Sequence, residues 1–367
     1  VWFGELDTNK GGEFRAGYEQ SLLQGLAIDK RRADLIKAQI ARRAAEPEIY
    51  KARIEFMRAA AISYWNWVAE GRKYVISSQI LKTALERDKQ LQLRANIEDI
   101  SPIDVLDNRR IIYDRQARLI GNSRKFQESA IKLSLFFRDS NGIPAVPDTK
   151  RLPRVFPQPE PFRPDRLSED IAIALRNRPE LRELALKRES VNVSLQLARN
   201  QILPKLDAYT LASQDVGQEV DLGNKTPFVF EAGLQGGVPI QRSAARGAIR
   251  TNRALLAQLI AQTRWIEDKI STDVQAAMAA LAAAVQQLEP ARQAVQVTYK
   301  VEVAEREKWK AGDSSLFVVN LRELATADAA AVEVEALANY FVALADYRAA
   351  LGVDGLNYQR VAPAADP

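Results

Sequence analysis

The first residues in this sequence that could do chemistry are two carboxylates at helical spacing. Asp104 and Asp107 lie three apart, directly after Ser101-Pro102. A helix beginning there carries both on one face of its first turns. Paired acids can shuttle protons, attract cations or stabilise the positive end of a helix dipole. No partner base, metal ligand or pocket can be named beside them, so catalysis is set aside. Two readings stay open: capping and dipole stabilisation, worth about 0.3–1 kcal/mol each, or an acidic ring at a constriction.

The rest of the composition narrows the chemistry further. The 367-residue chain has neither Cys nor His. That excludes a disulfide framework, a thiol nucleophile, a Ser-His-Asp triad and the usual zinc sites. No cofactor or metal is expected, and the chain reads as a non-enzyme. Its 52 basic and 47 acidic residues leave a net charge of +5, with no Lys/Arg block dense enough for nucleic acid. No run of 18 apolar residues is present, so no transmembrane helix is expected; a β-barrel stays open. The chain starts at Val1 with no signal peptide, and this end reads as processed or truncated.

The elements that would position the acids are mostly long helices. Residues 26–95, 102–138, 179–202, 243–311 and 316–352 are rich in Ala, Leu, Arg, Lys, Gln and Glu, all strong helix formers. Segments this long, with so little Gly and Pro, predict coiled-coil packing and an elongated molecule. At 1.5 Å per residue, 27–95 and 243–311 would each reach about 100 Å. Pro47 and Pro290 fall inside them and predict a kink or local unwinding. Three stretches alternate as strands do: 14–19, 206–211 and 228–235. Phe14 and Tyr18 share one face of the first; Phe228, Phe230 and Leu234 share one face of the third. Arg15, Glu19, Glu231 and Gln235 take the opposite faces. Residues 1–6 read as the tail of a further strand, and 213–225 as a polar loop.

An internal repeat organises these pieces. Placing Gly17 on Gly233, a shift of 216, aligns both strands and both following helices. Each copy is strand, long helix, tight turn, return helix. Residues 1–139 form the first copy, incomplete at its start; 140–166 form a Pro-rich linker. Residues 167–353 form the second copy, with an extra helix and strand ahead, and 354–367 a polar tail. At the first turn Ser101 suits an N-cap, Pro102 the first helical position, and Asp104 the capping-box position. At the second, Gly312 suits a left-handed helix end, and Ser314 or Ser315 a cap.

The order and duplication of these pieces resemble the TolC family of outer-membrane efflux proteins, from about residue 13 to 353. The likeness rests on Arg178-Pro179-Glu180-Leu181, Leu203-Pro204-Lys205-Leu206, Gly236-Gly237-Val238-Pro239-Ile240, Tyr64-Trp65, and the two turns at 101–107 and 312–316. The resemblance implies a mixed α and β fold: long antiparallel helical hairpins forming an α-barrel tunnel, plus a few strands of a trimeric transmembrane β-barrel. It implies a homotrimer in the outer membrane of a Gram-negative-type bacterium, with a periplasmic extension. Such a trimer is the passive exit duct of a tripartite efflux or type I secretion system, with a periplasmic adaptor and an inner-membrane pump as partners. Phe14, Tyr18, Phe228, Phe230 and Leu234 would then face outer-membrane lipid. Ile100, Ser101, Pro102, Gly312, Ser314, Ser315 and Leu316 would meet the adaptor. Asp104, Asp107, Arg109, Arg110 and Asp313 would line the periplasmic aperture, with Arg109 or Arg110 pairing to a neighbouring chain's Asp. The chain departs from the family pattern in the second copy, where Val318 and Leu321 stand in place of the acids, and at Glu98, where the family has Gly. The alternative is a periplasmic adaptor or coiled-coil scaffold of such a system. The cargo is not readable from the sequence.

Overall fold

The computed structural model describes residues 11–97, 100–161, 163–217 and 228–353. The elements run β1 (Glu13–Ser21), α1 (Lys30–Asn96), α2 (Pro102–Leu133), α3 (Leu167–Asn177), α4 (Pro179–Asn200), β2 (Lys205–Asp215), β3 (Phe228–Gly237), α5 (Ser243–Lys310) and α6 (Leu316–Ala350). The order β1-α1-α2 recurs as β3-α5-α6. Residues pack into two units, and each unit draws on both repeats. One holds Val1–Ile49 with Pro179–Glu267; the other holds Tyr50–Arg178 with Asp268–Pro367. The helices α1 and α5 contribute residues to both.

In the first unit the strands form one antiparallel sheet in the order β1-β2-β3. Its register pairs Phe14 with Gln214, Tyr18 with Thr210, Phe230 with Ala212 and Leu234 with Ala208. Directly paired residues share a face. Phe14, Tyr18, Phe228, Phe230 and Leu234 therefore lie on one side, and all five are exposed. Arg15, Glu19, Glu231 and Gln235 lie on the other, as the alternation requires. The strand β2 reaches Asp215, so it takes up the start of the expected 213–225 loop. The expected strand at residues 1–6 lies outside the described residues, as does the tail after 353.

The glycines that anchor the repeat have a steric reason. A Cβ at Gly233 would sit 2.9 Å from the Tyr209 hydroxyl, and one at Gly17 3.3 Å from Leu211 Cδ1. The large side chains of β2 thus lie across the glycines of both neighbouring strands. Below the sheet, Ile28, Ala33 and Ile40 pack against Leu186 and Val193 of α4. The Gly25 N–H donates to Asn200 Oδ1 at 2.8 Å, fixing the turn into α1.

In the second unit the helices pair as hairpins. Leu81 and Ala84 of α1 pack on Ile112 of α2. Leu281 and Ala284 of α5 pack on Tyr340, Phe341 and Leu344 of α6. Helix α1 continues through Pro47 and α5 through Pro290, so the expected unwinding does not occur. A proline removes one hydrogen bond of the ladder, and helices this long retain the rest.

The linker is irregular but firmly seated. Phe156 stacks on Trp65 with ring centroids 5.8 Å apart, and Trp65 stacks on Phe341 at 4.0 Å. Leu152 closes over Gly71 of α1, where a Cβ would lie 2.6 Å from its Cδ1. The Glu160 N–H donates to the Tyr340 hydroxyl at 2.8 Å.

Candidate functional site

Both hairpin tips belong to the second unit. At the first, Ser101 is extended (φ −70°, ψ 141°) and its hydroxyl accepts from the Ile103 N–H at 3.4 Å. Pro102 opens α2. The expected capping box does not close: among the described residues the Asp104 carboxylate bonds to no backbone N–H. Asp is one methylene shorter than the Glu that normally reaches back. At the second tip, Gly312 takes φ +85°. The Gly312 N–H donates to Trp309 O at 3.1 Å and the Asp313 N–H to Lys308 O at 2.9 Å, the two bonds of a Schellman ending. Ser315 caps α6 by accepting from the Val318 N–H at 3.4 Å. The Ser314 hydroxyl donates instead to Glu305 of the incoming helix.

The tip residues divide by exposure. Ser101, Pro102, Gly312, Asp313 and Ser315 are exposed; Ile100, Asp104, Asp107 and Ser314 are half-buried. Leu316 is only 7% exposed and packs with Leu91 and Val105, so it is core and not surface. A side chain at the first turn of α6 points back over the tip, where the two hairpins meet. Arg110 is engaged along its own helix, donating from Nε to Asp107 at 3.1 Å and from a terminal nitrogen to Asp114 at 3.1 Å. Arg109 is exposed. Asp104 and Asp107 stand one turn apart on α2, as their spacing requires.

Behind the tips lies a buried charge cluster that the sequence reading missed. Glu323 of α6 is 3% exposed. It accepts from Arg87 of α1, from Arg115 of α2 at 2.8 Å and from Arg306 of α5 at 2.9 Å. Asn320, one turn earlier, accepts from Arg87 at 2.6 Å and from Arg115 at 3.3 Å. Arg115 also donates to Ile80 O at 2.7 Å, and Arg306 pairs with Glu302 at 2.7 Å. One carboxylate therefore joins the four helices of the two hairpins. Burial pushes the Glu323 carboxyl up, but the Arg87 and Arg115 charges and hydrogen bonds outweigh it and hold it below the usual carboxylate range. The signal available beforehand was periodicity. Asn320 and Glu323 share a helical face with Leu316, Val319 and Ala327, all buried, and polar groups there need partners.

No protein-family model matches the chain, and no curated protein matches it in sequence. Solved structures do match in fold. The Campylobacter jejuni CmeC outer membrane channel superposes with a TM-score of 0.69 at 14% identity, over 93% of this chain and 77% of that one. The open state of the Neisseria gonorrhoeae MtrE outer membrane channel gives 0.69 at 16% identity, over 94% and 80%. The Vibrio cholerae outer membrane protein VceC gives 0.68 at 13% identity, over 93% and 87%. The chain has the fold of TolC-family outer-membrane channels, as the sequence resemblance implied.

Proposed function

We propose that the chain is one protomer of a homotrimeric outer-membrane channel, the passive exit duct of a tripartite efflux or type I secretion system. The observation that carries this reading is the three-stranded sheet, one face of which exposes large apolar side chains. Five large apolar side chains stand outward on β1 and β3, a surface that fits lipid and not water. Among the described residues each of these strands is paired on one side only. Lipid cannot satisfy open backbone groups, so the sheet must close with strands from other chains. Localisation follows: strands in the outer membrane of a Gram-negative-type bacterium, helices in the periplasm.

The tips then form the end that meets a periplasmic adaptor and, through it, an inner-membrane pump. Ser101, Pro102, Gly312 and Ser315 are small and exposed, which lets another helical tip approach closely. Asp104 and Asp107, with Asp313 and the flanking Arg109 and Arg110, would line the aperture. Conduction through such a duct needs no catalytic group. Light scattering of the detergent-extracted protein tests the assembly. A mass of three chains is expected, and a stable monomer would overturn the reading.

A further inference from the structure

The duct reading leaves unexplained a row of arginines at the start of α5. Arg242, Arg246, Arg250, Arg253 and Arg264 are the only charged residues between Gln241 and Ile266. At 100° per residue they fall within about 80° of one another, so they form one stripe down the helix. Arg246, Arg250, Arg253 and Arg264 are exposed, and none of these four side chains makes an ion pair or hydrogen bond among the described residues. Arg242 is half-buried, and among the described residues its side chain donates only to Pro239 O, at 3.2 Å.

The fold does not require this charge. The 216-residue shift places Lys30, Asp34, Lys37 and Glu48 of α1 at the positions of Arg246, Arg250, Arg253 and Arg264. The first repeat builds the same helix with a balanced face; the second has four positive charges. Nor does the stripe suit a lipid surface. It extends about 33 Å along the helix axis, whereas a headgroup layer adds only about 5–8 Å to each side of the hydrocarbon. Contact with another copy's α1 is unsuited too, because the matching face there is neutral and offers no excess of acids.

Resting on the duct reading, we infer that this stripe faces the water-filled lumen and draws anionic solutes along it, those bearing carboxylate, sulfonate or phosphate groups. Unpaired guanidiniums keep their hydration in a wet lumen, and three chains set as many stripes around one path. Surfaces of one sign lining a confined space raise the local concentration of the opposite ion by about 10-fold or more.

The Cys-free chain allows a direct test. Ala257 is exposed and lies on the same face, between Arg253 and Arg264. The A257C trimer is treated with an anionic sulfonatoethyl or a cationic trimethylammonioethyl methanethiosulfonate. Reaction is followed by mass spectrometry and by conductance in a planar bilayer. The expected result is faster reaction with the anionic reagent and a change in conductance as the thiol reacts; reaction that leaves conductance unchanged would put the stripe outside the lumen and overturn the inference. The anionic-to-cationic rate ratio should fall about 10-fold in A257C/R246Q/R250Q/R253Q. The ratio is local to the stripe, so charges at the tips do not set it. A conducting trimer in which A257C does not react would put the stripe in a protein or lipid contact and overturn the inference. A change in ratio below about twofold would do the same while leaving the duct reading intact. An unsubstituted trimer that does not conduct would overturn the duct reading and this inference together.

Discussion

Replacing Glu323 with Gln keeps the shape of the buried cluster and removes its only shared anion. Arg87 and Arg115, 8% and 3% exposed, are then left facing an amide whose nitrogen cannot accept from them. Breaking a buried ion pair from one side costs about 3–5 kcal/mol, because a desolvated charge is left unpaired. Arg306 retains Glu302 and adds little to the loss. Unfolding entropy near 2.1 cal/mol/K per residue gives about 0.8 kcal/mol/K for a chain of this length. The expected fall in Tm for E323Q is therefore about 4–6 °C, read by circular dichroism of the trimer in detergent at pH 7. The loss depends on pH in a definite direction. The Glu323 carboxyl lies below its unfolded value, about 4.3. Its stabilisation is fully present above that pH and is lost as pH falls through the folded value. Wild type and E323Q should then converge in acid. The triple variant R87M/R115M/E323L should recover most of the loss, since a packed apolar cluster can replace a buried ionic one. An E323Q shift below about 1 °C at pH 7, or a gap unchanged in acid, would refute the hub assignment.

Three further outcomes are expected. The double substitution D104N/D107N should lower cation selectivity and raise the open fraction in bilayer conductance; unchanged values would return both residues to a dipole role. Substituting G312A forces a left-handed backbone on a residue with a Cβ that otherwise meets open space, so it should cost about 1–2 kcal/mol and leave the trimer intact by light scattering. Substituting G71A drives a methyl into Leu152 and Phe126 and should cost about 1–3 kcal/mol by thermal unfolding. Adding L152A should relieve part of that loss, since the two positions share one space.

Both tip turns were legible because local chemistry fixes them, whereas α1 starts at Lys30 and not at 26, and α2 ends at Leu133 and not at 138. Ser101-Pro102 and Gly312 each determine backbone geometry within a few residues, and helices of this composition leave little choice of element. Strand faces were legible for the same reason, since a period of two settles them once a strand is granted. The Glu323 cluster was not, because its members come from four separated helices and none is unusual alone. A single Glu in an Ala-rich helix reads as solvated until its neighbours are known to be buried. Leu316 was misplaced by the opposite error: position in a turn was read as exposure, although the first residue of α6 points inward. Of the two effects expected at the prolines, unwinding is absent, since a breaker inside a short helix is only a local defect inside one of 67 or 68 residues.

The seated linker bears on how such a chain tolerates being cut. Residues 152 and 156 follow the first repeat in sequence, yet they pack on Gly71, Phe126 and Trp65 within it. A break at the exposed stretch 140–142 would leave the second repeat holding a plug already fitted to the first. Two polypeptides made separately, divided there, carry complementary halves of one aromatic stack. The joint between the duplicated pieces thus works as a fastening of side chains more than as a covalent tether.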